Sequence, residues 1–183
     1  MKAALLLALF AATLPAYAAK PVESLAFIRL DGGQSKFNQV SSDTWMASLG
    51  YNVNRHLAVE TAYRKLARVT GATVTDSASG QAISDARVDL TALQLNLLAS
   101  LPVTEQFSLH ALVGWTRNQL ELSRPGAVIQ VPNHQSGAVV GAGLRWKLEN
   151  GVSIYAEHTV FPSVDEVGID KVKVTSLGLG FGF

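Results

Sequence analysis

Residues 44–64 read TWMASLGYNVNRHLAVETAYR, and the period of this stretch decides the fold. Trp45, Ala47, Leu49, Tyr51 and Val53 fall on one side of a two-residue repeat, with Met46, Ser48, Gly50 and Asn52 on the other. After Asn54-Arg55-His56 the alternation resumes: Leu57, Val59, Thr61 and Tyr63 oppose Ala58, Glu60, Ala62 and Arg64. Successive side chains of a strand point to opposite faces, so the stretch reads as two two-faced strands joined by a tight turn.

The same period recurs along the chain. Leu93, Leu95, Leu97, Ala99 and Leu101 oppose Gln94, Asn96, Leu98 and Ser100. Phe107, Leu109, Ala111, Val113 and Trp115 oppose Ser108, His110, Leu112 and Gly114. Further runs cover residues 140–148, 152–157 and 177–183. Ser24–Leu30 supplies an eighth strand of ambiguous facing, with Arg29 assigned inward beside Phe27. Connections alternate in length. Asp31–Ser42, Ala67–Asp85, Ser123–Gln135 and Phe161–Asp170 read as long loops, and Asn52–His56, Pro102–Gln106 and Glu149–Gly151 as short turns. Asn150-Gly151 is a strong hairpin signal. Short turns alternating with long loops is the layout of an outer-membrane barrel, so the expected fold is an all-β, eight-stranded antiparallel up-and-down transmembrane barrel.

Ahead of the strands lies an export signal. Lys2 precedes an apolar run from Ala3 to Leu14, Pro15 ends it, and Ala16-Tyr17-Ala18 fits a small-x-small cleavage site. The run is too short to span a bilayer as a helix, which takes about 20 residues. The expected division is a signal peptide over residues 1–18 and one barrel domain over 19–183. Loss of Lys2 leaves fourteen basic against fourteen acidic residues. That balance speaks against a nucleic-acid binder. The absence of cysteine removes disulfide scaffolds, thiolate metal sites and cysteine nucleophiles.

The facing of the strands follows from cost. One face carries nearly all the Leu, Val, Phe and Trp of the strands; the other carries small and polar residues with Glu60, Arg64, Arg145, Lys147 and Glu157. Each Arg or Lys on the lipid face near the midplane would cost about 2–4 kcal/mol, against a domain stability of about 5–15 kcal/mol. A soluble lipocalin-like barrel would instead expose the greasy face to water as a patch far beyond normal size. The charged face therefore points inward. Trp45 and Trp115 at the loop ends, with Tyr51, Phe107 and Trp146 at the turn ends, read as aromatic girdles. An eight-stranded barrel is just wide enough for its own side chains. The charges of Glu60, Arg64, Arg145, Lys147 and Glu157 are therefore expected to pair across the lumen as an ion-pair core.

Two stretches carry a family likeness. Gly50–Tyr63 resembles the strand-turn-strand of OmpA-like outer-membrane barrels, where an aromatic closes one strand and an inward Glu opens the next. Ser176–Phe183 resembles the terminal strand of that class, which ends in an aromatic. The likeness is to small barrels of OmpA, OmpX or OmpW type. It implies residence in the outer membrane of a Gram-negative envelope, contact with outer-membrane lipid and lipopolysaccharide, and a C-terminal assembly signal in Leu179, Phe181 and Phe183 read by the barrel-assembly machinery. The chain stops at Phe183, so the peptidoglycan-binding domain of OmpA itself is not expected. A monomer without nucleic-acid partners is the expected state.

Chemical motifs are sparse. Some small outer-membrane barrels act on lipid A, but His158 and Glu157 are adjacent and face opposite sides. The His-x-Ser pattern of the lipid A deacylases fails here because Val160 stands where the serine would be. Ser108 and His110 share the inward face at roughly 7 Å, too far for a direct hydrogen bond. His56, His110, His134 and His158 lie on separate elements, so neither metal nor cofactor is expected. The Gly178-x-Gly180-x-Gly182 run sits in a strand and reads as a thinned inner wall. The reading is thus no enzyme, but a structural or surface-interaction barrel presenting four external loops. The alternatives are a narrow porin-like pore and, behind it, a lipid A-modifying enzyme. Arg68, Arg87, Arg117 and Arg124 near the loop ends point to anionic lipopolysaccharide; ordinary solvated charges are the other reading.

Overall fold

The structure, a computed structural model, describes residues 24–37, 40–75, 82–124, 127–163 and 171–183. Residues 1–18, which the sequence reads as a signal peptide, lie outside them. Eight strands run in chain order: β1 Ala26–Phe37, β2 Val40–Asn52, β3 Leu57–Thr75, β4 Ala82–Pro102, β5 Phe107–Arg124, β6 Ala127–Lys147, β7 Val152–Val160 and β8 Lys173–Gly182. Each pairs antiparallel with the next, and β8 returns to β1, closing the barrel. No sheet edge is left to face lipid, where unpaired backbone groups would be prohibitive. The seam is tightened at the terminus: Ala26 N donates to Phe183 O at 3.0 Å and Phe183 N to Ala26 O at 2.9 Å.

The pairing is staggered. From Ser41 the partners run through Lys36, Lys173, Val160, Val140, Val113, Leu97 and Val59, and return to β2 at Tyr51 instead of Ser41. A closed sheet with such shear must tilt its strands against the barrel axis.

Alternation sets the two walls as the sequence implies. More than twenty large apolar side chains are exposed on the outer wall, among them Leu49, Val59, Leu95, Leu109, Leu144 and Leu179. The girdle aromatics Trp45, Tyr51, Phe107, Trp115 and Trp146 are exposed with them, and Trp45 lies 5.6 Å from Tyr63 between ring centroids. The turns at the other ends are short. Asn150 and Gly151 both take positive φ, at 58° and 77°, which is the demand of a two-residue hairpin turn. In the β2–β3 turn, Asn54 Oδ1 accepts from His56 N at 2.7 Å and from Leu57 N at 2.9 Å.

The long loops require correction. The Asp31–Ser42, Ala67–Asp85 and Ser123–Gln135 stretches are mostly strand: β1 runs to Phe37, β3 to Thr75, β4 starts at Ala82, β5 runs to Arg124 and β6 starts at Ala127. The apolar period marks where one wall meets hydrocarbon. Past that boundary the outer wall no longer meets hydrocarbon, the sequence period fades, and backbone pairing continues the ladder. The tips at 76–81, 125–126 and 164–170 lie outside the described residues.

Candidate functional site: a charged lumen under an apolar cap

The inward positions of β1, β3 and β7 bring their charges to one place. Arg29, Asp31, Glu60, Arg64 and Glu157 are all buried, none more than 5% exposed. Glu157 is the hub. It accepts hydrogen bonds from Arg29 Nη1 at 2.9 Å, Arg64 Nη2 at 3.4 Å and Thr159 Oγ1 at 2.9 Å, and lies 3.2 Å from His110 Nε2. Arg29 also donates from Nε to Asp31 Oδ1 at 2.7 Å and from Nη2 to Asp31 Oδ2. Its guanidinium sits 4.5 Å from the centroid of the Tyr155 ring. Ser176 Oγ donates to Asp31 Oδ2 at 3.3 Å. Glu60 lies 3.9 Å from Arg29 Nη1 and accepts from Ser48 Oγ at 2.9 Å and Asn96 Nδ2 at 3.1 Å. Buried charges of this kind are tolerated only when paired and hydrogen-bonded.

Small residues make the room. A side chain at Gly178 would intrude on Asp31, one at Gly180 on Tyr155, and one at Gly143 on His110. The glycines of the final strand are thus the thinned wall against which the lumen side chains lie.

Of the expected lumen residues, Glu60, Arg64 and Glu157 enter this network, but Glu60 and Arg64 do not pair with each other. Arg64 bonds to Glu157 and to Met46 Sδ, the latter at 2.9 Å, while Glu60 looks to Arg29. Arg145 and Lys147 stand nearer the turn end of β6, opposite Tyr155 and Ser153. Arg145 forms no ion pair with Glu157: Tyr155, directly opposite, turns its ring into the lumen under Arg29, and Arg29 takes the position against the carboxylate. Asp31 and His110 carry no sequence signal as members: Asp31 falls in a stretch that reads as a loop, and the apposition of β5 and β7 across the lumen has no local signature.

Above this network the lumen turns apolar. Leu66, Leu90, Leu120, Val139, Phe161, Val172 and Val174 belong to one buried cluster. Phe161, just past β7, is 1% exposed, its N donates to Val172 O at 2.8 Å, and Arg64 lies 5.8 Å from its ring centroid.

The weighed chemistry fares as follows. Ser108 and His110 are both buried, and His110 has gained a carboxylate neighbour in Glu157, but no hydrogen bond joins Ser108 to His110 among the described residues. Glu157 is buried while His158 is exposed on the outer wall, 2.9 Å from Thr175 Oγ1. Among the described residues no group of three His, Cys, Asp or Glu side chains could hold a metal ion.

A closed antiparallel barrel with an apolar lipid wall, two aromatic girdles and a charged interior defines an integral outer-membrane barrel. The family comparison agrees: residues 4–183 match the outer membrane protein beta-barrel domain, and the chain belongs to that family. No curated protein sequence matches it. Three solved barrels share the fold at low identity. The N-terminal barrel of Pseudomonas aeruginosa OprF matches at 12% identity and TM-score 0.60, covering 86% of this chain and 97% of that one. Neisserial surface protein A matches at 13% and 0.60, covering 87% and 98%. Ail, the attachment invasion locus protein of Yersinia pestis, matches at 17% and 0.55, covering 86% and 96%. The fold and the family together make this a small OmpA/OmpX-like barrel of the outer membrane.

Proposed function

We propose that this chain is a side-chain-filled barrel with a structural and surface-interaction role, without enzymatic activity. On this reading it contacts outer-membrane lipid and lipopolysaccharide and presents its four long-connection ends outside the cell. The observation that supports it is the buried network on Glu157, which occupies the lumen beneath the apolar cap of Phe161 and its neighbours. The decisive experiment is planar-bilayer recording of the refolded mature chain. No sustained conductance is expected; steady unitary currents would overturn the filled-barrel reading. One observation favours the second reading, a narrow ion path. Arg64 Nε and Nη1, Gln94 Nε2, Asn96 Oδ1, His110 Nδ1 and Asn118 Nδ2 are buried without a hydrogen-bond partner, and a hydrated path would satisfy such groups.

The C-terminal strand is read as the assembly signal, and export as cleavage after Ala18. Phe183→Ser is then expected to lower cellular levels severalfold while refolding into detergent stays nearly normal, since one terminal aromatic contributes only about 1.5–3 kcal/mol. Quantitative immunoblotting beside in-vitro refolding yields checks this. Equal losses in both would mean simple destabilisation.

A further inference from the structure

The outer wall carries a cation cluster that the lumen reading does not use. On β3 the outward positions end at Tyr63 and Lys65, and the two-residue period would turn Arg68 inward. A bulge prevents that. The β3–β4 register shifts between Lys65 and Ala67, Leu66 and Ala67 are both buried, and Arg68 comes out onto the same wall as Lys65. Bulges of this kind re-aim a side chain. The bulged backbone is secured from β2: Arg68 N donates to Ser42 Oγ at 2.9 Å and Ser42 Oγ to Arg68 O at 3.2 Å.

Asp89 of β4 holds the cations together. Its carboxylate lies 3.2 Å from Lys65 Nζ, 2.7 Å from Arg68 Nε and 3.0 Å from Arg87 Nε. Glu121 stands directly opposite Asp89 on β5, so three cations meet two carboxylates and an excess of one positive charge remains. Each arginine meets Asp89 through its Nε, and among the described residues no hydrogen bond takes the remaining guanidinium donors of Arg68 and Arg87, 49% and 44% exposed. Beside Arg68 opens a cleft of about 260 Å³ lined by Gln34, Ser41, Ser42 and Asp43. Apart from Arg68 it offers amide, hydroxyl and carboxylate groups.

Depth identifies the occupant. Lys65 stands two residues beyond Tyr63, which packs on Trp45, and Arg117 stands two beyond Trp115. Both follow the girdle that marks the hydrocarbon boundary at the long-connection end. A cationic wall at that depth meets lipid headgroups.

We propose that Lys65, Arg68 and Arg87 form a binding site for a phosphate group of an outer-leaflet glycolipid, with the adjoining Gln34–Ser41–Asp43 cleft taking its sugar hydroxyls. Guanidinium forks suit phosphate oxygens bidentately. Asp43 disfavours an anion in the cleft itself, which sets the phosphate at the Arg68 end. The site deepens the surface-interaction reading by naming its lipid contact, and rests on it only for the outer-leaflet placement of this wall.

The test uses the mature chain refolded into phosphatidylcholine nanodiscs, with bisphosphorylated lipid A added and bound lipid read by native mass spectrometry. Lipid A is expected to be retained, and K65Q/R68Q/R87Q to weaken retention about tenfold. The charge-matched K36Q/K171Q/K173Q variant is expected to keep it. Retention lost equally in both variants would make net charge the cause and overturn the site. So would equal retention of fully dephosphorylated lipid A, or equal protection by inorganic phosphate, which would mark a free-anion site. Should the triple variant fail to refold by heat-modifiable gel migration, R87Q alone must still weaken retention for the site to stand. Conductance of the same samples reads the filled-barrel proposal separately.

Discussion

Glu157→Ala is expected to lower the unfolding free energy by about 3–5 kcal/mol, the range for breaking a buried ion pair from one side. The size follows from what is orphaned. Arg29 would keep Asp31 and the more distant Glu60 at 3.9 Å, but Glu157 is the only carboxylate within ion-pair distance of Arg64 among the described residues. Arg64 would remain buried, Nε and Nη1 already without partners, with Met46 Sδ as its one hydrogen-bond acceptor. Adding Arg64→Met to Glu157→Ala removes that orphan, so the double variant should recover part of the loss, with a coupling of about 0.5–3 kcal/mol. Adding Arg29→Met instead should recover nothing, because Asp31 and Glu60 would then lose their cation. Urea unfolding in lipid vesicles, with midpoint and slope both fitted, supplies the comparison. Additive losses for Arg64 and Glu157 would mean that the two do not interact. Conductance gained by the double variant would advance the ion-path reading instead.

The contrast between Arg64 and Asp31 shows which parts of this site a sequence can carry. Glu60, Arg64 and Glu157 stand in stretches where the opposite face is mainly apolar, so period two assigns them inward without reference to any partner. Arg29 is harder, because its strand alternates Phe27 against Ile28 and Leu30, apolar on both sides. Asp31 leaves no such trace in the sequence. Asp31-Gly32-Gly33 has the composition of a turn, yet all three residues pair on both sides, with β2 and with β8. Closure supplies what local propensity withholds. The apolar cap is partly legible: Leu66 and Phe161 continue the inward phase of Arg64 and of Thr159, but they stand at a bulge and past a strand end, where the period no longer says what they cover. Which cation meets which carboxylate is set by the stagger between distant strands, and that quantity has no signature in any single segment.

Closure also makes two neighbouring glycines answer the same substitution with opposite signs. Gly178 lies directly opposite Asp31, and Gly32 directly opposite Leu177, one step further along the same pair of strands. A Cβ on Gly178 would point into the lumen, onto the Asp31 carboxylate, and would stand 2.9 Å from Leu30 O. The Leu30 carbonyl is backbone in a paired strand. Asp31 is held by Arg29 and by Ser176, so neither neighbour can yield freely. Gly178→Ala should therefore destabilise by about 1–3 kcal/mol from overpacking alone. Any displacement of Asp31 would loosen Arg29 and enlarge the loss. Gly32 turns outward, and a Cβ there would meet nothing within 4 Å. Gly32→Ala keeps an ordinary strand conformation and removes freedom from the unfolded chain, so it should be neutral or stabilise by up to about 1 kcal/mol. Unfolding of both variants in the same vesicles tests the pair. Losses of similar size at both positions would mean that glycine serves strand curvature here rather than lumen space, and the thinned-wall account of β8 would fail.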